Sequence, residues 1–96
     1  MDIYRAEVTN LIQRNWNYPS ALESKKDLEA IVLLAVKRDG TILKTRFEKR
    51  SADVLFDESV SKAIERSNPL PPFPEGYRMT HDELEIRFNL NDLMQN

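Results

Sequence analysis

His81 is the single histidine of the sequence and is flanked by Thr80 and Asp82. A lone imidazole can take up a proton, but it cannot supply a multi-histidine metal site. A solvated loop histidine is the plain reading. Asp53, Asp57 and Glu58 bring carboxylates together in sequence, which is the arrangement of an acid–base pair. It is also that of a helix start, where a capping aspartate and acids in the first turn meet free N–H groups and the positive end of the dipole. Capping is the stronger reading. Cysteine is absent, so no thiol nucleophile, thiolate metal site or disulfide framework is available. The only glycines, Gly40 and Gly76, fall in predicted turns, which leaves no glycine-rich phosphate loop. The basic residues Lys37, Arg38, Lys44, Arg46, Lys49 and Arg50 are diluted by acids and lack an aromatic stacking platform, so they read as a solvated hairpin face. These residues predict a protein that is not an enzyme, with no cofactor and no bound metal.

The bulk composition narrows the remaining classes. Fourteen basic and sixteen acidic residues give a net charge of −2, whereas a dedicated nucleic-acid binder carries a basic surplus. The 96 residues suit one domain, 1–96, with one modest core. The longest apolar run, Ala30–Val36, has strand length, far short of the ~18 residues that span a bilayer. No signal peptide is visible.

Five elements follow from periodicity. Tyr4, Val8, Leu11, Ile12 and Trp16 recur at helical spacing and predict a helix from about Ile3 to Trp16, stopped before Tyr18-Pro19. Strands are predicted over Leu28–Arg38 and Thr41–Lys49. Asp39-Gly40 between them reads as a two-residue type I′ hairpin. In the second strand Leu43, Thr45 and Phe47 share one face, while Lys44, Arg46 and Glu48 point the other way together with Ile42. A second helix is predicted from Val54 to Ser67, capped by Asp53, with Phe56, Val60, Ala63, Ile64 and Ser67 buried. The last strand, Glu83–Leu90, alternates cleanly. Leu84, Ile86, Phe88 and Leu90 lie on one face and Glu83, Glu85, Arg87 and Asn89 on the other, so one face is covered and one solvated.

The expected fold is therefore α+β, in the order α-β-β-α-β. The first strand is apolar on both faces and prefers the centre, which predicts strand order two-one-three with both helices on one face. Ile31, Leu33 and Ile42 are expected on the opposite face, where an uncovered apolar patch invites a partner. Trp16 is expected to cap the core, while Tyr18, beyond the helix, could show its ring or hydroxyl to a partner. The last strand falls on an edge, and an edge must be blocked, covered or used. The other edge carries Lys44 and Lys49, a common protection. Four of the five prolines crowd into Asn68–Tyr77, NPLPPFPEGY. Such a segment costs little entropy to order and is expected to brace the last strand in register; a simple rigid loop is the alternative.

In order along the chain, "RNWNYP", "RDGTI", "FDESVSKAI", "NPLPPFPE" and "LEIRFNL" resemble the C-terminal periplasmic domain of the TonB/TolA family of cell-envelope energy transducers. The resemblance implies a periplasmic interaction domain, anchored in the inner membrane by an N-terminal segment and driven by an inner-membrane motor complex. It implies partners that are either outer-membrane receptors, through their TonB box, or Tol–Pal proteins. It places partner binding on the last strand, at Glu83, Glu85, Ile86, Arg87, Phe88 and Asn89, and near Tyr18 and Pro19. Many members carry Ser-Gly before the second helix; here the residues are Ser51-Ala52-Asp53. Homodimerisation through the same edge, or a generic interaction module unrelated to energy transduction, is the competing reading.

Overall fold

The computed structural model describes residues 2–17 and 28–89, in the order α1 (Asp2–Arg14), β1 (Glu29–Lys37), β2 (Ile42–Lys49), α2 (Val54–Arg66) and β3 (His81–Asn89). The strands form one sheet in the order β2-β1-β3, and both ladders are antiparallel. β2 and β3 run the same way but are separated by β1. Tyr18, Pro19 and Leu90, named above from the sequence, lie outside the described residues.

The helical stripes close over one face of the sheet. Tyr4, Val8, Ile12 and Trp16 are buried, as are Phe56, Val60, Ala63 and Ile64, against Ala30, Val32, Leu34 and Val36 of β1 and Leu84, Ile86 and Phe88 of β3. Trp16 sits at the junction of these layers. Its ring makes edge-on contacts with Phe56 and Phe88, and its Nε1–H donates to Ser59 Oγ at 2.8 Å. Burying an indole without a partner for its N–H would cost about 1–3 kcal/mol; Ser59 removes that cost. α1 ends two residues before Trp16, in a tightened turn where Asn15 N donates to Leu11 O and Ile12 O and Trp16 N donates to Gln13 O.

α2 begins as the sequence reading expects: Asp53 accepts from Phe56 N at 3.1 Å. Asp57 does more than meet the dipole. It is nearly buried and accepts from Ser51 N at 3.0 Å, tying the helix to the turn before it. That turn passes through Ala52 at φ 73°, a left-handed conformation that normally favours glycine.

Two local expectations change. The β1–β2 connection is a three-residue loop, with Lys37 N donating to Thr41 O and Gly40 N donating to Lys37 O. Only Gly40 is left-handed, at φ 96°, and Asp39 is not. The two-residue type I′ turn is thus replaced by a turn closed with a glycine bulge. Asp39 Oδ1 accepts from Thr41 N at 2.9 Å, which stabilises this form locally. β2 is also irregular. Its register slips between Ala35 and Val36 and again between Ile31 and Val32. The first slip extrudes Leu43, which is 56% exposed, and sets Ile42 opposite Val36 on the core side. Ile42 therefore leaves the open face on which alternation had put it, because a bulge inverts the facing of every residue before it.

The proline-rich segment is bonded to the hairpin. Leu70 N donates to Gly40 O at 2.8 Å, Phe73 N to Arg38 O at 2.9 Å, and Arg38 N to Thr80 O at 2.9 Å. Tyr4 Oη donates to Pro71 O at 2.7 Å. Leu70 and Phe73 are buried. The approach is so close that a Cβ on Gly40 would lie 1.8 Å from Leu70 O. The brace is thus a core element as well as a spacer, and it delivers the chain to the start of β3 beside the hairpin tip.

Candidate protein-interaction edge

β3 pairs with β1 through an unbroken register, from Glu29 opposite Asn89 to Lys37 opposite His81. Among the described residues it has no neighbour on its other side. The direction of its main-chain groups follows from its first residues. Thr80 O accepts from Arg38 N and so points toward β1, whereas Glu83 N is bonded to Asp82 Oδ1 at 2.8 Å, away from the ladder. Main-chain groups alternate in an antiparallel pair. Residues 82, 84, 86 and 88 therefore bond to β1, and the N–H and C=O groups of Glu85 and Arg87 face outward.

The residues expected to bind a partner thus divide. Ile86 and Phe88 are 1% and 0% exposed and turn both side chain and main chain inward, fixing the strand to the core. Glu83, Glu85 and Arg87 expose their side chains on the helix-free face, and Asn89 is half-buried. His81, expected in a loop, opens β3 and is exposed; its Nδ1 lies 3.2 Å from Thr80 Oγ1. Asp82 also accepts from the Tyr77 hydroxyl, pinning the strand's entry and holding the Tyr77 phenol above its ordinary range.

Charge on the helix-free face is laid out in rows. β1 supplies the half-buried Ile31, Leu33 and Ala35, flanked by Lys49, Arg46 and Lys44 of β2 and by Arg87, Glu85 and Glu83 of β3. At one end Glu29 bridges both outer strands, 3.2 Å from Lys49 Nζ and 3.7 Å from Arg87 Nε. The hydrogen bond from Lys49, with the charges of Lys49 and Arg87, holds the Glu29 carboxyl below its usual range. Nearer the middle, Glu48 meets Glu85, and their hydrogen bond, followed by burial and the Glu85 charge, pushes Glu48 up. Two of the basic residues are engaged locally: Arg38 Nη1 donates to Tyr77 O at 2.7 Å and Arg50 stacks on Phe47 at 4.5 Å. No group of metal-binding side chains occurs among the described residues.

A family model described as the TonB C terminal matches residues 1–88. The chain belongs to the TonB C-terminal family. Domains of this family are non-enzymatic protein-interaction domains. The fold agrees with that of solved relatives. A solution NMR structure of the Helicobacter pylori TonB C-terminal domain superposes with a TM-score of 0.66 at 18% identity, covering 93% of this chain and 80% of that one. A shorter form of the same domain gives 0.58 at 21% identity, covering 91% and 94%. The solution structure of TolAIII bound to a peptide derived from the N-terminus of TolB gives 0.62 at 19% identity, covering 88% and 72%. No curated protein sequence matches the chain. None of the helices among the described residues is long and apolar enough to cross a membrane.

The sequence reading missed the inward turn of Ile86 and Phe88 main chain. Alternation marks which face a side chain takes, but the direction of an N–H depends on which neighbour the strand acquires.

Proposed function

We propose that the domain works in the periplasm as the receiving end of a TonB/TolA-type energy transducer, and that an extended segment of its partner adds as a strand beside β3. The partner is an outer-membrane receptor, through its TonB box, or a Tol–Pal protein. The domain would be tethered to the inner membrane by a segment outside this sequence and pulled by a motor complex there. The observation that carries the reading is the regular outer edge of β3, where Glu85 and Arg87 turn N–H and C=O groups away from β1. Strand addition uses such groups for grip and the flanking side chains for selectivity. Pulling along a paired strand loads several hydrogen bonds at once, which suits force transfer. The peptide-bound TolAIII structure supports a fold of this kind accepting a peptide. Glu83, Glu85, Arg87 and Asn89 tune the contact, and the family resemblance adds Tyr18 and Pro19 as further partner-binding residues.

The test is Arg87→Pro. Arg87 N–H points outward, so proline there leaves the β1–β3 ladder intact. The variant is expected to fold and to bind a TonB-box or TolB-derived peptide about tenfold more weakly, the loss of one main-chain hydrogen bond. A folded variant that keeps full affinity sinks the reading. The same free edge could instead pair two copies; concentration-dependent sedimentation that Arg87→Pro abolishes would favour a homodimer.

A further inference from the structure

We propose that the strand accepted by β3 alternates apolar and basic side chains, with two basic residues spaced two apart on the helix-free face. This rests on β3 being the docking edge and specifies what docks. A strand added there continues the sheet, so its side chains enter the two environments that β3 already displays. On the helix side it extends the row of Leu84, Ile86 and Phe88, all buried, and apolar residues suit that row. On the open side it meets Glu83, Glu85 and Arg87.

Arg87 is already paired with Glu29 at 3.7 Å. Glu83 and Glu85 carry no ion pair among the described residues. The β2 cations in line with them, Arg46 and Lys44, stand on the far side of β1, about 10 Å away at the backbone. Glu85 also meets a second carboxyl, Glu48, with Arg46 in the same neighbourhood. On its outer side this edge therefore shows two carboxylates that no ion pair engages among the described residues, at a strand's own spacing. A partner backbone about 4.8 Å from β3 sets its side chains directly opposite these carboxylates, where opposite charges attract and like charges repel. β2 of a second copy carries Lys44 and Arg46 at the same spacing, but Leu43 and Glu48 bulge on either side of them, and a bulged strand makes a poor ladder. A separate, regular segment fits better.

The experiment uses three short peptides of one length with valines alternating and with lysine, threonine or glutamate at the two open-face positions. Each is titrated into the isotope-labelled domain while the β3 amide signals are followed. The threonine peptide reports edge pairing alone; the lysine and glutamate peptides report its charge preference. The lysine peptide is expected to bind about tenfold more tightly than the glutamate peptide, with the gap closing in about 1 M salt, where the screening length is about 3 Å. The double variant Glu83→Gln and Glu85→Gln, which alters two exposed side chains, is expected to remove the gap between the lysine and glutamate peptides. Equal or tighter binding of the glutamate peptide overturns the charge assignment and leaves strand addition standing. A lysine preference that survives in the double variant also overturns it. Failure of all three peptides to move the β3 signals sinks edge pairing itself. Self-association through β3 in the peptide-free protein would make a second copy the occupant and overturn the proposal.

Discussion

The two outer strands of this sheet share a central neighbour and a direction, yet they present opposite edges. β2 meets β1 through two register slips and exposes most of its side chains, with Lys44, Arg46 and Lys49 along it. β3 meets β1 without a break and buries every second side chain. Bulges and lysines are what sheets use to refuse further strands. This domain therefore protects one edge and leaves the other regular, and the regular edge is also the better anchored. Leu84, Ile86 and Phe88 root β3 in the core, while β2 contributes only the partly buried Ile42 and Phe47.

Proline at adjacent positions of β3 separates its inward and outward main-chain groups. Ile86→Pro removes an inward N–H and a buried side chain, and is expected to cost about 4 kcal/mol in chemical denaturation. Arg87→Pro is expected to cost about 1 kcal/mol, since it removes an outward N–H. Equal costs would mean that the assignment of inward and outward groups is wrong.

The protected edge can be opened. Deleting Leu43 removes the bulged residue while keeping Ile42 opposite Val36 and Lys44 opposite Ala35. Stability should change by about 1 kcal/mol, and sedimentation should reveal association that the parent protein lacks at equal concentration. An unchanged sedimentation profile would show that Lys44 and Arg46 suffice to guard β2.

Ala52, just past β2, is held at φ 73°. Ala52→Gly is expected to stabilise by about 1 kcal/mol, the left-handed penalty of about 1–2 kcal/mol less the extra chain entropy of glycine. A loss of stability would argue that the turn is not strained.

The smallest effect concerns the charge row between the edges. Glu48 titrates above its unfolded value because of its hydrogen bond to Glu85 and that group's charge. The folded state therefore binds this proton more tightly, and the associated stability is fully present below the ordinary glutamate range and lost as pH rises through the raised value. Arg46, which lowers the same group, and Glu83, which raises it, share the neighbourhood. Glu48→Gln should leave the protein slightly more stable at neutral pH and flatten its pH profile across the mildly acidic range. A profile that steepens would mean the two carboxyls do not meet.

Much of this was legible from residue order. The elements, the strand order, the Asp53 cap and the stripes of α1 and α2 follow from period and capping chemistry, because those signals are local and each residue reports its own face. The candidate site was legible only as a strand. Glu83, Glu85 and Arg87 could be placed on a solvated face, but the split between them and Ile86 and Phe88 in main-chain direction could not. Ile42 was misplaced because a bulge leaves no trace in alternation on its own strand; the slip is decided by what lies opposite. The Asp39-Gly40 turn was misjudged by one residue, since Gly40 must also accept Leu70 N from a segment thirty positions later.

By itself the sequence determined the buried stripes of the two helices and the alternation of β3, where helices start and stop, and that one apolar strand must lie at the centre. Those outcomes depend on apolar area and on backbone groups a few residues apart. The tertiary structure alone decided which edge stays regular, which amides of β3 face outward, and that the proline-rich brace bonds to the hairpin. Each of these depends on hydrogen bonds between segments far apart in the chain, and no local pattern encodes which distant partner an N–H will meet.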